Sequence, residues 1–237
     1  MIRIPFHFRE TFATILADDP AHAAAAKSGI LAARQDLEAY IARDPFFAAT
    51  FDPYEPDSDA LIIRRMADAT RKAGVGPMAA VAGAIAWAGI EAMQEAGAKF
   101  GVIDNGGDIA LVSDRPVRVG VHAGNAPLSN RVAFIVPPTE GILGICTSSA
   151  TVGPSISFGI ADAVTIFSRD VALADAWATS VCNQIRPDNQ MVLQKLNPAE
   201  VDGVFAIMGE QVIRWGSLPP LVGAEVDEQL ISAGDRL

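Results

Sequence analysis

From Pro77 to Gly89 the chain reads Pro77-Met78-Ala79-Ala80-Val81-Ala82-Gly83-Ala84-Ile85-Ala86-Trp87-Ala88-Gly89, with no charge and no hydroxyl. A helix of this composition has no polar face to turn to water, so it must be buried on most sides. Its small residues let another backbone, or a flat ligand, approach very closely. A glycine inside a helix costs about 1 kcal/mol relative to alanine, so Gly83 and Gly89 call for a packing or functional reason. Gly74-Val75-Gly76 ahead of it forms a tight turn, and Pro77 suits a helix start.

A core able to take such a helix is within reach of 237 residues, half of them hydrophobic and 19% charged. Mean hydropathy is +0.27, yet charges or glycines interrupt every apolar run before the ~18 residues of a membrane span. The net charge of -10 removes nucleic acid as a partner, since an acidic surface gains nothing from a polyanion's counterions. The two cysteines, Cys146 and Cys182, cannot make a disulfide framework, and the three histidines lie far apart, so a Cys/His zinc site is not expected. Met1 to His7 lacks a signal pattern. The expectation is a single domain over 1–237, cytoplasmic, with a small-molecule ligand, no nucleic-acid or membrane partner, and room for a homo-oligomer.

Strand-like alternation over 6–17 is followed by Asp18-Asp19-Pro20, which predicts a helix to about Ala42, stopped before Pro45. Residues 44–57 form an ordered loop. Ser58-Asp59 opens a second helix that Gly74 ends. Strands are predicted at 100–112 (interrupted at Asn105-Gly106-Gly107), 117–122, 131–136, 141–147, 160–168, 203–208 and 211–215, with a helix at 170–186. Adjacent strands cluster rather than alternate with helices, which argues for α+β with antiparallel sheets. Phe100-Gly101-Val102-Ile103-Asp104 and Phe158-Gly159-Ile160-Ala161-Asp162 echo each other, a trace of internal duplication.

Three segments could carry chemistry. Asp175, Thr179 and Asn183 stack on one helix face at i, i+4 and i+8 among apolar neighbours, a stripe of hard oxygens suited to magnesium. The plain structural alternative is a hydrogen-bonded network in which Asp175 caps something nearby. Asn105-Gly106-Gly107-Asp108 permits close approach of a ligand, or is simply a bulge or tight hairpin. Thr147-Ser148-Ser149 begins a hydroxyl-rich loop running to Ser157, able to bind phosphate or to be a solvated turn. Cys146 and Cys182 read as small core residues. Arg115, Arg118 and Arg131 read as solvated strand ends.

Taken in order, the Gly76-Pro77-Met78-Ala79 helix start, Asp104-Asn105-Gly106-Gly107-Asp108-Ile109, Cys146-Thr147-Ser148-Ser149, Ala161-Asp162-Ala163-Val164 and Ala174-Asp175-Ala176 to Thr179 resemble an uncharacterised family of the ApbE superfamily, related to FAD:protein FMN transferases. The resemblance implies an α+β, ApbE-like (T-fold-like) fold, with helices packed on antiparallel sheets and an internal pseudo-duplication. It implies magnesium held by Asp175, Thr179 and a carbonyl near Val81. It also implies a site for FAD or FMN shaped by Asn105, Gly106, Gly107 and Asp108, with Thr147, Ser148 and Ser149 alongside. Two departures count against FMN transfer itself. The transferases' Lys-Gly pair is replaced by Ala82-Gly83, and no histidine follows His122. Two functions stay open: a magnesium-dependent transferase or hydrolase, and a non-catalytic flavin- or pterin-type binding or accessory protein.

Overall fold

The computed structural model describes residues 1–152 and 158–226. Strands β1 (Ile2–Phe8) and β2 (Thr11–Ala17) open the chain as a hairpin whose turn is made by Arg9 at φ 52°. Asp19 then accepts from the Ala21 amide at 2.7 Å and Pro20 takes the first position of helix α1 (Pro20–Arg43). A short helix α2 (Phe46–Ala49) sits in the proline-rich loop, followed by α3 (Leu61–Ala73), which ends on Gly74 at φ 71°. A 3-10 turn at Pro77–Ala80 leads into α4 (Val81–Glu95).

The second half contributes β3 (Gly101–Asn105), β4 (Asp108–Val112), β5 (Val117–Gly120), β6 (Val132–Val136), β7 (Leu143–Ser148) and β8 (Ala163–Ser168). It closes with α5 (Val171–Gln184), β9 (Gly203–Met208), β10 (Gln211–Gly216) and β11 (Leu221–Gly223). Eight strands form one antiparallel sheet in the order β1-β2-β3-β4-β7-β8-β9-β10, and β11-β6-β5 form a smaller one.

Period-2 alternation sends each central strand's side chains to two different cores. On β9, Val204 and Ala206 meet the helices, while Phe205 and Ile207 meet the small sheet. There Phe134 lies edge-on to Phe167 and Phe205, with ring centres 5.0 and 5.2 Å away. The result is three layers: helices, large sheet, small sheet. A sheet covered on both faces needs apolar residues at nearly every position, which accounts for the half-hydrophobic composition. Among the described residues no single helix is long and apolar enough to cross a membrane, and the α3 and 77–95 segments meet at 104°.

The predicted elements are present with shifted ends, and the structure adds α2 and β11. The interruption at Asn105 is a hairpin: Gly106 and Gly107 both have positive φ (70° and 103°) and join β3 to β4 as a two-residue turn. Helices enter between the second and third strands of each four-strand half. The sequence echo does not follow that arrangement, since Phe100–Asp104 leads into a third strand and 158–162 precedes a second one. Of the hydroxyl loop, residues 153–157 lie outside the described residues.

Helix α4 is central because its small residues let three elements touch its backbone. A Cβ at Gly29 of α1 would stand 2.6 Å from the Ala88 carbonyl oxygen, and one at Gly89 would stand 2.5 Å from Ile103 Cδ1. Gly29→Ala should therefore lower stability by about 1–3 kcal/mol despite alanine's better helix propensity. Gly141→Ala, with open space around it, should stay within about 0.5 kcal/mol of wild type. Urea unfolding midpoints check both.

Candidate functional site

The first turn of α4 has no side-chain cap of its own; two residues from distant elements hold it instead. Asp175 of α5 accepts from the Gly83 amide through Oδ2 at 2.8 Å, and from the Ala82 amide. Asn105, at the end of β3, donates from Nδ2 to the Ala82 carbonyl at 3.0 Å. Gly83 is what lets α5 come this near: a Cβ there would lie 2.8 Å from both Asp175 Cβ and the Val171 carbonyl oxygen. The helix start thus supplies partial positive charge and free donors to a buried carboxyl.

Asp108, the first residue of β4, sits beside this clamp. Its carboxyl accepts from the Cys146 thiol and the Thr147 amide, and the charges of Asp175 and Asp104 act on it. Burial first, then those neighbouring carboxyls, push Asp108 well above the usual carboxylate range. Burial raises Asp175 to about 7 against the pull of its two amide donors. Burial and the nearby aspartates likewise push the Cys146 thiol up, which makes it a buried hydrogen-bonding residue and no nucleophile. Two carboxyls that cannot both ionise cheaply favour a shared proton or a bound cation.

Asp108 opens into a cavity of about 1280 Å³ that wraps around the tips of the β1–β2 and β3–β4 hairpins, from the helix layer to the small sheet. Its walls are apolar at Phe12, Leu16, Ile85, Val102, Ile145 and Phe134. Hydroxyls line it at Thr147 and Thr165, whose Oγ1 atoms lie 2.9 Å apart. The Gly106–Gly107 turn is pinned by the Gly107 amide donating to Asp104 Oδ1 at 2.9 Å, and it forms part of the wall.

A family model described as "AbpE bacteria" matches residues 3–210. A protein of Methanoregula boonei named "UPF0280 protein" is 72% identical over 238 residues, covering 100% of both chains. The chain belongs to this UPF0280 family. Another member, from Methanosphaerula palustris, is 59% identical and covers 99% of each. Among solved structures, a flavinyl transferase ApbE from Pseudomonas stutzeri superposes with a TM-score of 0.60 at 12% identity, covering 98% of this chain and 97% of that one. A flavin transferase ApbE from Vibrio cholerae gives 0.56 at 14% identity, covering 91% and 96%. At such identities the likeness establishes an ApbE-type fold.

In this UPF0280 chain, Asn105, Gly106, Gly107, Asp108, Thr147, Ser149 and Val81 all line the cavity. Asn105 has a second duty, as part of the α4 clamp. Thr147 and Ser148 belong to strand β7 and not to the loop expected there. Strand alternation therefore turns Ser148 away from the wall that Thr147 occupies, and it is buried. Asp175 lies behind Asp108 and does cap a helix, the plain alternative considered for it. Thr179 is one turn further along α5, partly buried and outside the cavity lining. Asn183 accepts from the Phe158 amide at 2.8 Å, so it fastens a loop. Among the described residues no group of three His, Cys, Asp or Glu side chains is arranged for a metal ion. Sequence reasoning missed Arg3, Arg9, Arg34 and His122, all on the cavity wall.

Because folding raises the Asp175 pKa from 3.8 to about 7, the folded chain binds this proton more tightly than the unfolded one. The stabilisation is present at low pH and is lost as pH rises towards 7. In a chelating buffer, thermal stability should fall between pH 5 and 7, by up to about 2–3 kcal/mol. Asp175→Asn, which keeps an acceptor for Gly83, should reduce that slope and leave the part that the raised Asp108 carboxyl contributes. Differential scanning calorimetry across the pH range checks it.

Proposed function

We propose that the protein binds a flavin-type or other phosphorylated small molecule in this cavity with magnesium, and acts on it as a transferase or hydrolase. The observation that carries the reading is the Asp108–Asp175 pair: two hard-oxygen carboxyls at a helix start, one of them opening into a cavity larger than the ~300–1,000 Å³ of common small-molecule sites. The donor set fits magnesium, which takes a few protein oxygens and completes its shell with water and substrate phosphates. Asp175 and Asp108 would hold it, with Thr179 and the Val81 carbonyl as the further oxygens that the family resemblance suggests. Bound there, magnesium would neutralise charge developing on a phosphate leaving group.

The chain's own residues account for the rest. The apolar walls suit a flat ring and exclude water, and the Thr147 and Thr165 hydroxyls offer donors to phosphate or ring oxygens. The glycine turn lets the ligand reach the backbone. The names of two proteins sharing the fold, both flavin transferases, support the ligand class. A second reading, a flavin- or pterin-type binding protein without turnover, is favoured by Ala82 standing where the transferases carry lysine.

Isothermal titration with FAD and with FMN, each with and without magnesium, tests the reading. Magnesium-dependent binding is expected, weakened at least about tenfold in Asp175→Asn, the smallest loss typical even of outer-shell changes at metal sites. Chromatography of the FAD incubation then separates the two readings: consumed FAD supports an enzyme, and intact bound FAD supports the binding protein. Absence of binding under all conditions removes both flavin readings.

A further inference from the structure

On the helix side the cavity wall carries a charge ladder that the proposed function does not use. Arg34, in the fifth turn of α1, has a side chain only 9% exposed and lines the cavity. Its Nη2 donates to Glu10 at 2.5 Å and to Glu38, four residues on, at 2.8 Å. Arg9 pairs with the same Glu38 from the β1–β2 turn. The Arg34 Nε has no hydrogen-bond partner although it is buried. A buried donor left without an acceptor is destabilising, and a guanidinium is built to offer Nε and Nη together to a two-oxygen anion. The two glutamates are not equivalent. Glu38 is 29% exposed and held from two sides, whereas the Glu10 side chain is 80% exposed and reaches Arg34 from a turn.

We propose that Arg34 is the anchor of an anion subsite in the cavity, taking a phosphate or carboxylate group of the bound molecule through Nε and Nη in the place of Glu10. Glu38 then stays to fix the guanidinium plane, and Arg9, which lines the same cavity, adds positive potential. Glu10 brings an 80% exposed side chain to this pair and holds Arg34 by one nitrogen, so a two-oxygen anion that takes Nε as well can displace it. The subsite needs neither magnesium nor a flavin, and its test is run without either.

The experiment follows the Arg34 Nε–H signal in nitrogen-15 spectra of the full chain in chelating buffer at constant ionic strength. The signal is assigned by its loss in Arg34→Lys. One titration uses inorganic phosphate and a second uses succinate. A saturable shift of that signal supports the subsite, and the arm that produces it names the anion as phosphate, carboxylate or either. Glu10→Gln, an exposed change that leaves the fold intact, should tighten the response about two- to fivefold, because the competing carboxylate is gone. An unmoved Arg34 signal in both arms, or equal affinity in Glu10→Gln and wild type, overturns the proposal. Neither result bears on nucleotide binding at Asp108.

Discussion

One buried carboxyl organises the centre of this molecule. Helix α4 begins inside the protein, where water cannot serve its free amides, and Asp175 supplies the acceptor from 92 residues away. That bond requires α5 to lie against α4 at a distance only Gly83 permits. Strands β7 and β8 pack under α5, and β7 pairs directly with β4 beyond the turn that follows Asn105. Helix capping, sheet assembly and the shape of the cavity floor are therefore one interaction seen from three sides. The same geometry makes the floor acidic, since Asp108 comes to share a dry environment with Asp175.

The placement of chemistry follows from the layers. Strand interiors are committed to two hydrophobic cores, so polar groups collect where strands end: Arg9 and Glu10 at one hairpin tip, Asn105 to Asp108 at the next. The cavity forms around those tips. Its helix-side lip carries Arg34 between Glu10 and Glu38, and its floor carries the carboxyl of Asp108.

Much of this was legible before any coordinates. A stretch without a polar side chain has to be a core helix, and two consecutive glycines between apolar runs mark a bulge or a tight hairpin, of which the structure has the hairpin. Asp19-Pro20 and Gly74 mark helix ends by local backbone chemistry alone. What sequence could not yield was parity and distance. Thr147 and Ser148 are alike in chemistry, and only the register of β7 decides that one faces the cavity and the other the opposite layer. Arg34 stands on a mixed helix face among Leu31, Leu37, Glu38 and Ile41, and nothing in that spacing shows that the Glu10 hairpin meets it. The partner of Asp175 is likewise invisible in a linear reading, although the family resemblance had put the two segments together.

The outer edge of the large sheet carries a last consequence. Among the described residues strand β1 has a neighbour on one side only, and Pro5 stands in its middle opposite Thr14. A proline has no amide hydrogen, so the exposed rim lacks one donor of the row that an incoming strand would need. In a chain as apolar as this one, open β-edges are where growth into fibres starts. A single missing hydrogen at position 5 makes this rim a poor template, and helps keep crowded copies of the molecule from zipping together.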